Sequence, residues 1–339
     1  MVTSHDVARV AGVSQSTVSR VLAGKPNVRP ATRERVRAAL VQTGYSRNAL
    51  ARAMRTNRTD TIGVVIASIT NPFYLQIVHQ LGQQLSALGL RMTLWDSEGP
   101  GEHSAVAAIR EGLVDGVVFT TATSDSTALH EAIAVKAPVV LVNRTVADLA
   151  CDQVTNENHE SGRMVADHLL QAGHTSIGLI AGPSAASTSR EREAGFRGRL
   201  ADHRVALPPG LTHRGGFDHD TGYLAMHRWF GPEPHGPRPT AIFCVNDLIA
   251  FGALDAARAL DVSIPHDLWV VGHDDIEMSA WEAYDLTTVR QHVNDMVATA
   301  LDLLTARLRD PHRQPEFHRF PCDLVIRRST DAARPLTSR

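Results

Sequence analysis

The chain has 339 residues, 43% apolar and 21% charged, which is too long for one ordinary core and too apolar for a disordered chain. No apolar run reaches the roughly 18–20 residues of a membrane span, and Met1–Asp6 lacks the apolar core and cleavage site of a secretory signal. Cys151, Cys244 and Cys322 form no CxxC pair, which argues against a disulfide framework or a structural zinc site, and the formal charge of −2 hides an asymmetry: residues 1–60 hold eleven Lys/Arg against three Asp/Glu, a net +8, while the remainder nets −10. A basic head on an acidic body is the electrostatic footprint of a protein that grips phosphates with one end.

Residues 4–46 read as three short helices without a strand pattern. Thr3 and Asp6 have capping-box spacing and precede Val7, Ala8, Val10 and Ala11 at helical intervals. Gly12 breaks that helix, Val13 is a buried turn residue, and Ser14 is the expected N-cap of a second helix, Gln15 to Leu22, burying Val18, Val21 and Leu22. Gly24-Lys25-Pro26 ends it. Pro30 occupies a first helical position, with Val36, Leu40 and Val41 as the inner face of a third helix, although Arg29 is a poor cap. Arg47–Arg58, rich in Arg, Ala and Asn, is too polar for core and reads as a linker or conditional helix.

From Thr61 the pattern changes. Apolar runs at Ile62–Ile66, Met92–Trp95, Val117–Thr120, Val139–Val142, Ile177–Ile180, Ala241–Val245 and Leu268–Val271 read as strands. Amphipathic stretches such as Tyr74–Leu88, His159–Gln171 and Asn246–Leu260 lie between them. This alternation predicts parallel α/β sheets covered on both faces, in two sets at about 61–155 and 160–288. A late helix, Val293–Arg307, is expected to cross back to the first set, and Phe320–Ile326 to close as one strand. Ligands of open α/β sheets bind beyond the carboxyl ends of the strands. The residues there are polar or aromatic: Asn71, Phe73 and Tyr74, then Asp96, then Asn143 and Arg144. The second set adds Arg190, Phe217, Asn246, Asp247, Asp274 and Asp275, a supply of donors, acceptors and ring faces suited to a small polar ligand. Asp247 has the alternative reading of a helix cap, and Asp275 that of a loop brace.

The series Asp6-Val7-Ala8, Ala11-Gly12-Val13-Ser14, Thr17-Val18-Ser19-Arg20-Val21-Leu22 resembles the helix-turn-helix of the lactose- and purine-repressor (LacI/GalR-type) regulators. The match continues through Thr32-Arg33-Glu34-Arg35-Val36, Gly44-Tyr45, Asn48 and Thr61-Ile62-Gly63, and ends at Arg327-Arg328-Ser329-Thr330. The resemblance implies a small all-helical head over 1–46, a hinge helix over 47–58, and a sensor and dimerisation domain over 59–339. The sensor is then α/β, a two-lobed periplasmic-binding-protein-like body with two doubly wound parallel sheets. Its first lobe spans about 61–157 and 291–319, its second about 158–290 and 320–330.

In such a head the second helix enters the major groove. By resemblance Gln15 and Ser16 read bases, Arg20 reaches guanine or a phosphate, and Thr17 and Ser19 bind phosphate or backbone. Thr3, Ser14, Asn27, Tyr45, Asn48 and Ala51 complete the expected DNA-facing set, with Met54 as the minor-groove wedge that is usually leucine. Asn71, Phe73, Asp96, Asn143, Arg190, Phe217, Asn246, Asp274 and Gln291 are the expected effector contacts, Arg190 as the effector-binding arginine.

An enzyme is disfavoured: the chain has no P-loop, no GxGxxG after a strand, no GxSxG elbow and no HExxH, and its 17 histidines show no metal spacing. A solute-binding protein is disfavoured by the basic head. The expectation is therefore a cytoplasmic repressor, without cofactor, metal or membrane attachment, that binds palindromic double-stranded operator DNA. A sugar-like effector leads, with a purine or nucleoside as the alternative because Phe73 and Tyr74 offer ring faces. No leucine heptads follow the last strand, so a homodimer is expected rather than a tetramer.

Overall fold

The computed structural model describes residues 2–22, 24–45, 58–66, 68–97, 101–233 and 237–331. They fall into two compact units, Met1–Thr59 and Asp60–Arg339. In the first, helix α1 (Ser4–Ala11) starts at a true capping box: the Thr3 hydroxyl accepts from the Asp6 N–H at 3.4 Å, and the Asp6 carboxylate from the Thr3 N–H at 3.0 Å. It stops at Gly12, whose φ of 62° lies in the left-handed region that side chains resist. Ser14 caps α2 (Gln15–Leu22), accepting from the Thr17 N–H at 3.2 Å. Pro30 opens α3 (Pro30–Thr43), and Arg29 makes no side-chain cap.

Val7, Ala8, Ala11, Val18, Val36 and Ala39 form the core of this unit, with half-buried Val13, Val21, Leu22, Leu40 and Tyr45 against it. Val41, expected on the inner face, is 85% exposed. Five residues past Val36 is about 140° around a helix, so Ala39 and Leu40 face inward in its place. Asn48, Ala51 and Met54, and with them nearly all of the expected hinge, lie outside the described residues.

The second unit opens with β1 (Thr61–Ile66), α4 (Pro72–Ala87), β2 (Arg91–Asp96), α5 (Gly101–Arg110), β3 (Gly116–Phe119), α6 (Thr127–Ala134), β4 (Val139–Val142) and β5 (Asp152–Asn156). It continues with α7 (Asn158–Gln171), β6 (Ile177–Ala181), α8 (Ser187–Asp202), β7 (Thr212–Arg214), α9 (His219–Phe230), β8 (Ala241–Cys244) and α10 (Asp247–Ala259). Then follow β9 (Trp269–Asp274), β10 (Thr287–Gln291), α11 (Val293–Arg309), β11 (Phe317–Phe320) and β12 (Cys322–Val325). Two six-stranded sheets result, ordered β11-β5-β4-β3-β1-β2 and β12-β10-β9-β8-β6-β7. Every pairing is parallel except β10 with β12. Central strands β1, β3, β4, β6 and β8 are buried at every residue, as parallel sheets with helices on both faces require.

Three strands have no apolar signature in the sequence: β5, β7 and β10. Strand β5 (Asp-Gln-Val-Thr-Asn) is wholly buried because nearly all of its polar side-chain groups find partners, Asn156 Oδ1 excepted. Arg307 Nε and Arg313 Nη1 donate to the Asp152 carboxylate at 2.7 and 2.9 Å. The expected single closing strand is two: β11 pairs with β5 in the first sheet and β12 with β10 in the second. Pro321 between them has no N–H for a ladder, so the chain changes sheets there. Helix α11 packs on β3, β4, β5 and α4, returning the chain to the first sheet after β10.

Candidate functional site: a reading head and an interlobe cleft

On the head, α2 leaves Gln15, Ser16 and Arg20 exposed and half-buries Thr17 and Ser19 while Val18 faces the core. Gln15 Nε2 donates to Ser4 Oγ at 3.3 Å, a long bond that tethers the side chain to α1. The Ser14 hydroxyl lies 2.8 Å from those of Ser16 and Thr17. Thr3 and Ser14 are occupied as helix caps, Tyr45 packs against the head core, and Asn27 is exposed. This surface offers hydroxyls, an amide and a guanidinium on one short helix, the donor set that base edges and phosphates accept.

In the second unit the carboxyl ends of the strands from both sheets meet at a small cavity. Six of the nine expected effector residues line it: Asn71, Phe73, Asn143, Phe217, Asn246 and Asp274. Tyr74, Thr188 and Arg192 join them. Asn71 caps α4, its Oδ1 accepting from the Phe73 N–H at 3.0 Å, which fixes the Phe73 ring at the cavity. The rings of Phe73 and Tyr74 meet edge-on, 5.9 Å apart at 68°, so they are not two parallel walls. Asn246, not Asp247, caps α10 by accepting from the Ile249 N–H at 3.0 Å. Asp247 instead braces the base of the site, accepting from Ile276 N–H, Ser279 Oγ and Thr288 Oγ1 at 3.0, 2.6 and 2.5 Å. Asp275 is a brace too, paired with Arg290 at 2.6 Å and Arg327 at 2.7 Å.

Arg192 is the centre of the buried network. Its Nε donates to Asn158 Oδ1 at 2.8 Å, and its Nη1 to the Val245 carbonyl at 2.8 Å and to Asp274 Oδ1 at 3.3 Å. The two charged side chains are 3% and 6% exposed, so the pair is desolvated. Asp274 Oδ1 also accepts from Gln291 Nε2 at 2.6 Å, and Gln291 Oε1 accepts from Asn156 Nδ2 at 2.5 Å. Gln291 thus stands one bond behind the cavity wall. Burial pushes the Asp274 carboxyl up to about 6 despite Arg192, and burial with the neighbouring Asp274 pushes Asp247 up to about 7. Burial, then the Arg192 charge, holds His273 well below the usual histidine range, so its ring is neutral. Strain collects at the same place: Asn143, Asp274 and Asp275 have φ of 74°, 124° and 49°.

Two expected contacts fall elsewhere. Asp96 ends edge strand β2 and does not line the cavity. Arg190 is a correction of substance: it is exposed, and its Nη1 donates to the Ser184 and Ala185 carbonyls at 2.9 and 2.8 Å on a separate groove. Two residues along a helix is about 200° of rotation, so α8 cannot aim Arg190 and Arg192 at one cavity. Thr188, four residues before Arg192, shares its face, and that i, i+4 spacing was the available signal. The approach of α8 to α7 that lets Arg192 reach Asn158 depends on glycine. A Cβ on Gly195 would lie 1.9 Å from the His159 carbonyl oxygen, and one on Gly162 would lie 2.1 Å from that of Arg192. Arg144 stands at the rim, donating to the Thr121 carbonyl at 3.1 Å with its guanidinium 5.7 Å from the Phe217 ring centre, a contact across the lobes. Among the described residues no His/Cys/Asp/Glu group is arranged to hold a metal, and no helix is long and apolar enough to cross a membrane.

Residues 3–48 match the model of bacterial regulatory proteins of the lacI family, and 166–330 that of a periplasmic binding protein-like domain. The chain is 30% identical to the HTH-type transcriptional repressor PurR of Photobacterium profundum, covering 97% of this chain and 98% of that one. It is 31% identical to the ribose operon repressor of Escherichia coli, covering 93% and 96%. Among solved structures it resembles the lac repressor dimer bound to operator and the anti-inducer ONPF, with a TM-score of 0.84, 27% identity, and 97% and 99% of the two chains covered. With an exposed reading helix, a buried ligand cleft and relatives matched over nearly their whole length, the chain belongs to the lacI family of bacterial regulatory proteins and is a DNA-binding transcriptional repressor with a ligand-binding sensor domain.

Proposed function

We propose that the protein works in the cytoplasm as a homodimer, its two heads reading the halves of a palindromic operator and its clefts taking a small polyhydroxyl effector, a sugar or sugar derivative. The observation that carries the effector reading is the buried Arg192–Asp274 network, set among amides and two aromatic walls, Phe73 and Phe217. Hydroxyls both donate and accept, and the C–H faces of a sugar ring pack on aromatic rings, so this lining suits a polyol. The edge-on Phe73 and Tyr74 weigh against a base sandwiched between them. Support for the dimer and the operator comes from the lac repressor relative, a dimer on its operator. Effector and operator affinities are then linked: whatever factor the effector changes in DNA binding, DNA changes in effector binding.

Selection from a random DNA pool with the purified full-length protein, at stated salt, tests the first half. A palindrome with a preferred central step is expected, and enrichment of a single asymmetric half-site would refute the dimeric reading. The recovered fragment then serves as probe for release, or tightening, by sugars and by nucleosides. A response to nucleosides alone would replace the sugar reading with the purine one.

A further inference from the structure

Three segments carry the chain between the two sheets of the sensor: 156–158 from β5 to α7, 291–293 from β10 to α11, and 320–322 from β11 to β12. A rotation of one lobe against the other turns about these segments, and the structure ties them to one another. Asn156, the last residue of β5 in the first sheet, donates from Nδ2 to Oε1 of Gln291, the last residue of β10 in the second, at 2.5 Å. The Glu157 N–H donates to the Phe320 carbonyl at 2.8 Å, joining the first segment to the third. Asn158 Nδ2 donates to the Asn156 carbonyl at 3.2 Å and fixes the backbone between them. Asn156, Asn158 and Gln291 are all buried, so water does not compete for these bonds.

Two features set the Asn156–Gln291 bond apart from an ordinary core contact. The Gln291 amide is engaged at both ends, Oε1 by Asn156 and Nε2 by Asp274. A change at the Asp274 carboxylate therefore reaches Asn156 through one side chain, although Asn156 does not line the cleft. The other feature is Asn156 Oδ1, which is buried and has no partner among the described residues. A desolvated acceptor left unmatched is a reservoir of strain. One end of the Asn156 amide thus holds this arrangement of the lobes while the other end opposes it, and an arrangement that brought Oδ1 a donor would relieve the opposition.

We propose that the Asn156–Gln291 bond is a clamp across the interlobe crossovers, with Asn156 as a positioning residue. It sets the balance between lobe arrangements, and through that balance operator affinity, without touching effector or DNA. The step from lobes to DNA rests on the linkage stated above, whereas the clamp itself does not. The test compares Asn156→Leu with Gln153→Leu in the full-length protein without added effector. Gln153 is a buried amide of the same strand, and both of its bonds, to the N–H and the carbonyl of Val146, stay within the first lobe. Hydrogen exchange should be faster across residues 155–158 and 290–294 in Asn156→Leu than in Gln153→Leu. Affinity for the operator fragment recovered by selection should shift by about fivefold or more, in either direction, in Asn156→Leu, and stay within about twofold in Gln153→Leu. Asn156→Ala removes the same bond and serves if the leucine variant does not fold. Equal exchange in the two variants would overturn the clamp. Faster exchange with operator affinity unmoved would overturn its regulatory role. The exchange measurement needs neither DNA nor effector, so failure of the clamp is distinguishable from failure of the operator reading.

Discussion

Arg190 and Arg192 are two residues apart and have opposite fates, which makes them a paired test of the cleft. Arg192→Ala removes the partner of a buried carboxylate, and breaking such a pair costs about 3–5 kcal/mol of stability. Effector binding should fall by at least about 100-fold, with operator affinity retained at equal fold stability. Arg190→Ala should leave effector affinity within about twofold, because that side chain holds only two loop carbonyls. Calorimetry and operator titration of both variants check this, and a large effector loss in Arg190→Ala would refute the assignment of faces.

Asp274 carries the pH dependence at this scale. Its carboxyl sits at about 6 in the folded chain against an ordinary 3.8. A raised acid binds its proton more tightly folded than unfolded, so between about pH 4 and 6 this group favours the folded state as pH falls, and that contribution is lost as pH rises through 6. Effector affinity runs the other way: protonation weakens the bond to Arg192 and removes an acceptor, so binding should weaken as pH drops below about 6. Calorimetry across pH 5–8 should show that step in the unmodified protein, and Asp274→Asn should lack it.

Among elements, the α7–α8 pair decides the site. Its helices approach closely enough for Arg192 to bond Asn158 only because Gly162 and Gly195 carry no Cβ. Gly195→Ala sets a methyl group against backbone rather than a movable side chain, so it should destabilise the sensor by about 1–3 kcal/mol in urea unfolding. It should weaken effector binding as well. Unchanged stability would mean that the helices separate at little cost. The two closing strands teach a different lesson. Phe317–Phe320 and Cys322–Val325 are short mixed polar and apolar runs on either side of Pro321, and only pairing partners in separate sheets tell them apart. Strand β5 was hidden because a buried polar strand looks like a loop until its arginine partners, more than 150 residues away, are in place.

At the scale of the molecule, the net +8 of residues 1–60 predicts steep salt dependence of operator binding, with affinity falling linearly on a log–log plot as salt rises. A flat response would mean that the basic head does not neutralise phosphates. Light scattering should return about twice the 36.8 kDa chain mass. A value near four times that mass would refute the proposed dimer.

The sequence by itself determined the class of the protein, because the relevant signals are local. Helix caps at Thr3 and Ser14, the break at Gly12, the charge gradient and the apolar runs of the central strands act over a few residues and are legible one window at a time. The tertiary structure decided which arginine enters the cleft, that Asn246 rather than Asp247 caps α10, and that β5, β7 and β10 are strands. Each of those depends on partners distant in sequence. A buried charge or polar strand is tolerable only once such partners desolvate and bond it together, and no local pattern encodes that.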